Sequence, residues 1–299
     1  MLKILRCLGR RFWFFTLSLN LAACNHLFYF PDKTLYRDPT KYPFPVRILE
    51  IKREGRPSVS AWLMNDTPNS KGLVLHFHGN AQNLSAHASF SSWMAEAGYT
   101  VLIFDYSGYG LTGGKPNQEG IISDSQVVMR WIMTEDKWKN KGLPYIVFAQ
   151  SLGGAVGTTA LAETPEFASK VDLLVVESSF DSYQGVAFAT LKSHAISFVF
   201  SPLAFVLVSD YRKPSEAVKK LLMPKIFVHG SSDGVVAFES GKKLYAAALP
   251  PKEFWEIPYG NHTEAFIPGS PYRQDLLERL ESLKTIKDRA FRPECTLKP

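Results

Sequence analysis

Three residues that lie far apart in the chain are of the types that carry out nucleophilic acyl transfer: Ser151 in "FAQSLGGAVG", Asp233 in "VHGSSDG" and His262 in "IPYGNHTE". A serine hydroxyl is a poor nucleophile without a base to take its proton and an acid behind that base to fix the imidazole tautomer. The local string cannot assign the role, because many core helices also begin with Ser-x-Gly-Gly. It does carry small residues where a sharp turn needs them. Ala149, two before the serine, and Gly153, two after it, let a strand and a helix approach closely. Glycine is usual at the first of these positions, so Ala149 is a departure.

Such chemistry requires elements that bring the three residues together. Short runs that are apolar throughout, "GLVLHFH", "YTVLIFDY", "PYIVFAQ", "DLLVVESS", "PKIFVHG" and "EFWEIPY", alternate with the amphipathic segments "LSAHASFSSWMAEAG", "EGIISDSQVVMRWIMTED", "GGAVGTTALAE", "ESGKKLYAAAL" and "RQDLLERLESLKTIKDR". Strands buried on both faces read this way, so the fold class is α/β, with a mostly parallel, doubly wound sheet covered by helices. Two further β-like runs, "RILEIKRE" and "SVSAWLMN", come first. Ser151 then falls right after a strand and right before a helix. Asp233 and His262 each follow a later strand, in the order Ser, Asp, His that a strand–turn–helix nucleophile takes in this architecture. Oxyanion donors are expected from the backbone after the first parallel strand, at Asn80 or Ala81 in "LHFHGNAQN", and from Leu152.

One segment breaks the alternation. An insertion at about residues 182–222 contains "AISFVFSPLAFVLV", which is apolar, interrupted by Pro202 and too short to span a bilayer. At the carboxyl edge of a parallel sheet, where ligands bind, it reads as a lid, with a helix simply packed on the core as the alternative.

Other residues invite competing readings. "GYGLTG", Gly108 to Gly113, matches G-x-G-x-x-G after a strand, but "GKPNQEG" does not go on as a helix, so a loop shaping the pocket is expected rather than a dinucleotide site. His76 and His78 share one strand face, yet no third metal ligand stands at a recognisable spacing. His76 is expected as a hydrogen-bonded core residue and His78 as part of the oxyanion loop. Ser178 and Ser179 follow a strand but lack the glycine after them. His194, in the lid, is expected to pack. Asp105 and Asp181 also follow strands, and Asp181 is the second candidate for the acid. No metal or organic cofactor is required.

The stretches "FYFPDKTLYRDP", "HFHGNAQN", "DYSGYGLTGGKPNQEG", "AQSLGG", "VHGSSDGVV" and "GNH" resemble the α/β-hydrolase-fold serine hydrolases. The resemblance is to the small-lid branch with eukaryotic protein depalmitoylases, lysophospholipases and bacterial hydrolases, and it spans nearly the whole chain after the N-terminal segment. It departs at Ala149, at Ser107, where the branch usually has Arg, and at "GNH", where Gly-His is commoner. The implied activity is hydrolysis of an ester or thioester through an acyl-enzyme on Ser151. An apolar lid favours an acyl-chain substrate. A serine peptidase acting on short peptides is the alternative, followed by a non-catalytic binding module that keeps the fold.

The ends of the chain bear on location. Lys3, Arg6, Arg10 and Arg11 precede "FWFFTLSLNLAA", an apolar run shorter than the roughly 20 residues of a membrane-spanning helix, so a removable signal segment over residues 1–23 is expected. "LAAC", Leu21 to Cys24, resembles the lipobox of bacterial lipoproteins, in which the cysteine is lipidated and becomes the mature N-terminus. An ordinary signal peptide or an uncleaved anchor is the alternative. Asn25 lacks the aspartate of inner-membrane retention, which favours the outer membrane. Residues 24–45 then read as a tether, and 46–299 as one domain. Four of the 34 basic residues and none of the 28 acidic ones lie in the signal, which leaves 30 against 28 and cuts the net charge from +6 to +2. No nucleic-acid partner is inferred. With Cys7 removed and Cys24 lipidated, Cys295 stands alone, so no intramolecular disulfide is expected.

Overall fold

The all-apolar runs form the strands of one sheet; the run "EFWEIPY", expected to be buried on both faces, is an edge strand that is only partly buried, while the others are buried on both faces. In the computed structural model, which describes residues 29–135, 138, 142–193 and 198–291, the runs are β4 (Leu73–Phe77), β6 (Thr100–Phe104), β7 (Tyr145–Gln150), β8 (Leu173–Glu177), β9 (Lys225–Gly230) and β10 (Lys252–Ile257). The expected signal segment, Cys24, His194 and Cys295 lie outside the described residues. β2 (Val46–Arg53) and β3 (Arg56–Met64) complete an eight-stranded sheet in the order β10-β9-β8-β7-β4-β6-β3-β2. Pairing is parallel from β10 to β6 and antiparallel at β3 and β2.

Alternate residues of each strand enter different cores, as the two-residue period of a pleated strand requires. Leu73, Leu75 and Phe77 pack on one face with residues of α1 (Gln118–Thr134), α2 (Leu152–Ala162) and α4 (Phe238–Ala247). Val74 lies on the other face with Trp93, Met94 and Leu276 and Leu280 of α5 (Pro271–Phe291). This is the α/β-hydrolase fold, a mostly parallel sheet wound on both sides, and it sends the loops after β4, β7, β8, β9 and β10 to one edge. The insertion contributes α3 (Tyr183–Ser193), a 3-10 segment (Phe198–Leu203) and a short helix (Ala204–Leu207).

Two further expectations change. "LSAHASFSSWMAEAG" is not one helix but three turns, Leu84–His87, Ala88–Phe90 and Ser92–Glu96. Its polar side chains hold backbone and core groups instead: the Ser89 hydroxyl donates to the Ala86 carbonyl at 3.2 Å, the Trp93 indole to the Phe90 carbonyl at 2.8 Å, and Ser91 Oγ bonds His76 Nδ1 at 2.9 Å. The described part of the tether is not merely laid on the domain. Its β1 (Phe30–Pro31) pairs in parallel with β5 (Ala81–Gln82) as a separate two-stranded sheet.

Candidate active site

β7 ends at Gln150 and α2 begins at Leu152, so Ser151 alone makes the turn between them. It does so with φ 53° and ψ −121°, a conformation that costs a side-chain-bearing residue of order 1–3 kcal/mol and persists only where neighbours impose it. Those neighbours are present. The Ser151 amide donates to the Glu177 carbonyl at 2.8 Å, and the Ser151 carbonyl accepts from Ser179 Oγ at 2.8 Å. Gly153 is required by close approach, because a Cβ there would lie 2.2 Å from the Phe77 carbonyl oxygen and 2.6 Å from that of His78. Ala149 is buried in register between Phe77 and Val176, and the turn accommodates its methyl group.

The structure brings Asp233 and His262 together at the ends of β9 and β10. His262 Nδ1 lies 2.8 Å from Asp233 Oδ2, while Asp233 Oδ1 accepts from the amides of Val235 and Val236 at 2.9 and 2.8 Å. Burial acts to raise the Asp233 carboxyl, but hydrogen bonds from His229 and His262, the charge of His262 and the Val236 amide outweigh it and hold the group well below the usual carboxylate range. It is His262's anionic partner. The His262 side chain remains 21% exposed, so its outer edge is accessible.

Sequence reasoning missed how the His262 loop is fixed. Two residues after the histidine's neighbour, the Ala265 amide donates to Glu177 Oε1 at 3.0 Å; Glu177 Oε2 accepts from Gln150 Nε2 at 2.6 Å, Gln150 Oε1 meets His76 Nε2 at 3.0 Å, and His76 ends on Ser91. Burial pushes the Glu177 carboxyl up to about 7 and His76 well below its usual value. The available signal was a glutamate ending the otherwise apolar strand "LLVVE". Thr263, at φ 56°, donates its amide to Ser178 Oγ at 3.0 Å. Ser178 and Ser179 thus support the two loops.

Asn80, Ser151 and Leu152 line one cavity of about 320 Å³ with Phe30, Phe180, Val186, Ala187 and Leu191. No charged side chain belongs to its described lining. Ala81 does not line it; its backbone is in register with Phe30, and its carbonyl accepts from His87 Nε2 at 2.8 Å. Burial and nearby His78 push His87 down to about 3, so it is neutral. The Tyr109 hydroxyl lies 2.8 Å from both the carbonyl and Oδ1 of Asn80.

The remaining candidates occupy other roles. His78 Nδ1 donates to the Gly79 carbonyl at 2.8 Å, and its ring lies tilted against that of Tyr106, centroids 4.4 Å apart. Asp105 Oδ1 accepts from the Leu84 amide at 2.7 Å, and His262 bonds Asp233 rather than Asp181. "GYGLTG" forms a loop, the next helix starting only at Gln118; Gly110 has φ 47°, with Asp105 Oδ2 2.0 Å from where its Cβ would stand. Ser107 receives Nη1 of Arg53 at 2.9 Å, and the same guanidinium pairs with buried Asp124. A guanidinium from β2 therefore stands beside the position where the resembling branch carries its own arginine. Among the described residues, no three His, Cys, Asp or Glu side chains cluster to hold a metal ion.

A strand-to-helix serine and an Asp–His pair at the carboxyl edge of a wound sheet are the arrangement of the α/β hydrolases, and this chain has that fold. Residues 68–204 match the family model described as serine aminopeptidase, S33, a span that includes Ser151 and Asn80 and stops before Asp233. The uncharacterized protein YfhR of Escherichia coli is 26% identical over 270 residues, covering 88% of this chain and 89% of that one. The lysophosphatidylserine lipase ABHD12 of Danio rerio is 28% identical over 248 residues, 78% of this chain and 62% of that protein. Among solved structures, a Pyrococcus furiosus esterase superposes with a TM-score of 0.65 at 19% identity, covering 86% of this chain and 98% of that one.

Proposed function

We propose that the protein is a serine hydrolase that cleaves a carboxylic ester or thioester of an aliphatic acid. The observation that carries this reading is Ser151 held in a strained turn on the wall of an apolar cavity. With Nδ1–H donated to Asp233, His262 keeps its lone pair on Nε2, the nitrogen that takes the Ser151 proton as the hydroxyl attacks the acyl carbon. The same proton then goes to the leaving oxygen or sulfur. The Leu152 amide, at a helix start where no intrahelical acceptor exists, and the Asn80 amide receive the oxyanion, each worth about 3 kcal/mol by analogy with donors of this kind. Water activated by His262 releases the acid.

The family description names an aminopeptidase, which favours a peptidase as the second reading. Against it stands the described cavity lining, which offers no carboxylate to a peptide amino group. The lipase and esterase named among the similar proteins favour the ester. A lipid-anchored protein of the bacterial envelope, held through Cys24 after removal of residues 1–23, fits an acyl-chain substrate. Incorporation of labelled fatty acid that is lost in Cys24→Ala is the expected result, and unchanged incorporation would overturn the anchor.

A fluorophosphonate probe should label the wild-type protein, and Ser151→Ala and His262→Ala should each lower labelling and ester hydrolysis by about 10⁴-fold or more. A folded wild type that resists the probe would leave the fold as a binding module. Cleavage of aminoacyl amides without esterase activity would install the peptidase.

A further inference from the structure

The N-terminal strap Phe30–Tyr36 has no part in the mechanism proposed above, yet it reaches three parts of the site. Tyr29, just ahead of it, is buried in one core with Tyr109 and with Tyr183 of the lid. Phe30 is 57% exposed and lines the same cavity as Ser151. Pro31 stands in register with Gln82, and the Asp32 amide donates to the Gln82 carbonyl at 3.1 Å. The Asp32 carbonyl accepts from the Gly110 amide at 2.9 Å, which ties the strap to the "GYGLTG" loop as well. Asn83 Nδ2 bonds Asp32 Oδ1 at 3.1 Å and the Thr34 carbonyl at 2.8 Å, and the Tyr36 amide donates to Ser85 Oγ at 3.0 Å. Gln82 itself has φ 64°, so the loop after Asn80 takes a conformation that a free chain rarely holds.

We propose that this strap is part of the active site: Asp32 is a positioning residue for the oxyanion loop 79–83, and Phe30 is a wall of the acyl cavity that sets which linear acyl chains bind. The proposal rests on the serine-hydrolase reading for its substrate, but the strap's grip on the loop can be measured without it. Backbone pairing alone would fix the strap's register. The Asp32 carboxylate adds the contacts to Asn83 and to the Thr34 amide, the latter at 3.0 Å, that keep the strap folded against the loop. Phe30 points its ring to the cavity because, on an extended strap, it alternates with buried Tyr29.

The test uses the full chain with Phe30→Ala, Asp32→Ala and Asp32→Asn. In a series of nitrophenyl esters from acetate to decanoate, Phe30→Ala should lower the ratio of decanoate to acetate kcat/KM about tenfold. Asp32→Ala should lower kcat about tenfold for every ester at constant KM and slow fluorophosphonate labelling by the same factor, and Asp32→Asn, which keeps an acceptor, should restore both. Amide hydrogen exchange of residues 79–85 should be about tenfold faster in Asp32→Ala, whether or not the protein hydrolyses anything. A decanoate-to-acetate ratio within twofold of wild type would remove Phe30 from the cavity's specificity. Unchanged exchange, or a smaller labelled fraction at an unchanged rate, would reduce Asp32 to a general stabiliser. A wild type that does not label would remove the hydrolase reading, and the exchange result would still decide the strap.

Discussion

At the sheet side of the cavity the loops that bear Ser151 and His262 are held by directed hydrogen bonds, through Glu177, Gln150, Ser178 and Ser179, whereas on the lid side the walls are Val186, Ala187, Leu191 and Leu207 with no charged group. On the proposed serine-hydrolase reading, the difference follows from what each side would do. Proton transfer needs atoms fixed to a few tenths of an ångström, and directed hydrogen bonds among buried groups supply that. Recognition of an aliphatic chain needs apolar area without direction. Substitutions should therefore be harsh on the sheet side and selective on the lid side.

The largest effect is expected at Gly153. A methyl group there meets the backbone oxygens of Phe77 and His78, which cannot swing aside as a side chain does. Gly153→Ala should cost about 3 kcal/mol or more and abolish fluorophosphonate labelling. Thermal melting and labelling measure the two together. A variant that melts and labels like wild type would mean that the elbow is slack, and the contrast between the two sides would fail at its centre.

Glu177 comes next and carries a pH dependence. Burial raises its carboxyl in the folded chain to about 7, from 4.5 in the unfolded one. The associated stability is full below about pH 4.5 and is lost as pH rises through about 7, a change of about 3 kcal/mol. Glu177→Gln should remove that slope without slowing labelling much. Its oxygen can still accept from Ala265, and its amide can donate to a flipped Gln150. Gln150 then donates to His76, whose other nitrogen donates to Ser91 Oγ, and the Ser91 hydroxyl turns to the Ala88 carbonyl 3.5 Å away. Glu177→Ala leaves the Gln150 and Ala265 donors without their acceptor and should slow labelling about a hundredfold. Melting curves from pH 4.5 to 8 and labelling rates separate the variants. If Glu177→Gln proved as slow as Glu177→Ala, the charge rather than the acceptor geometry would matter.

This network also marks what the sequence conceals. The sheet was legible because burial on both faces leaves a signature in composition: β4, β6 and β8 are apolar almost throughout. Ser151, Asp233 and His262 were legible as candidates because each sits at a strand end, where an apolar run stops. Glu177 and Gln150 also end strands, but only pairing of β7 with β8 shows that they face each other. The strap was illegible for a similar reason. Its partners, Gln82, Asn83 and Gly110, are some 50 to 80 residues away, and extended chain with prolines has no periodicity that points to them. Ser107 reads as a lost arginine in the sequence, and only three dimensions supply Arg53.

The smallest effect, and the one that sharpens the contrast most, is expected on the lid. Ala187 lies on α3, in the cavity wall but outside the hydrogen-bonded network, and its neighbours Val186 and Leu191 are aliphatic. Ala187→Trp adds an indole where an acyl chain would lie. Because the site is half-buried, the ring has room to lean toward solvent, so the melting temperature should move by only a few degrees. The decanoate ester should lose about tenfold in kcat/KM against the acetate ester, whose short acyl group does not reach α3. A single added methyl at Gly153 would then cost more than an added indole at Ala187, which is the expected order if direction governs one side and volume the other. An equal loss for acetate and decanoate would mean that α3 controls access to Ser151 rather than chain length, and the lid would join the sheet side as part of the machinery that places the reacting atoms.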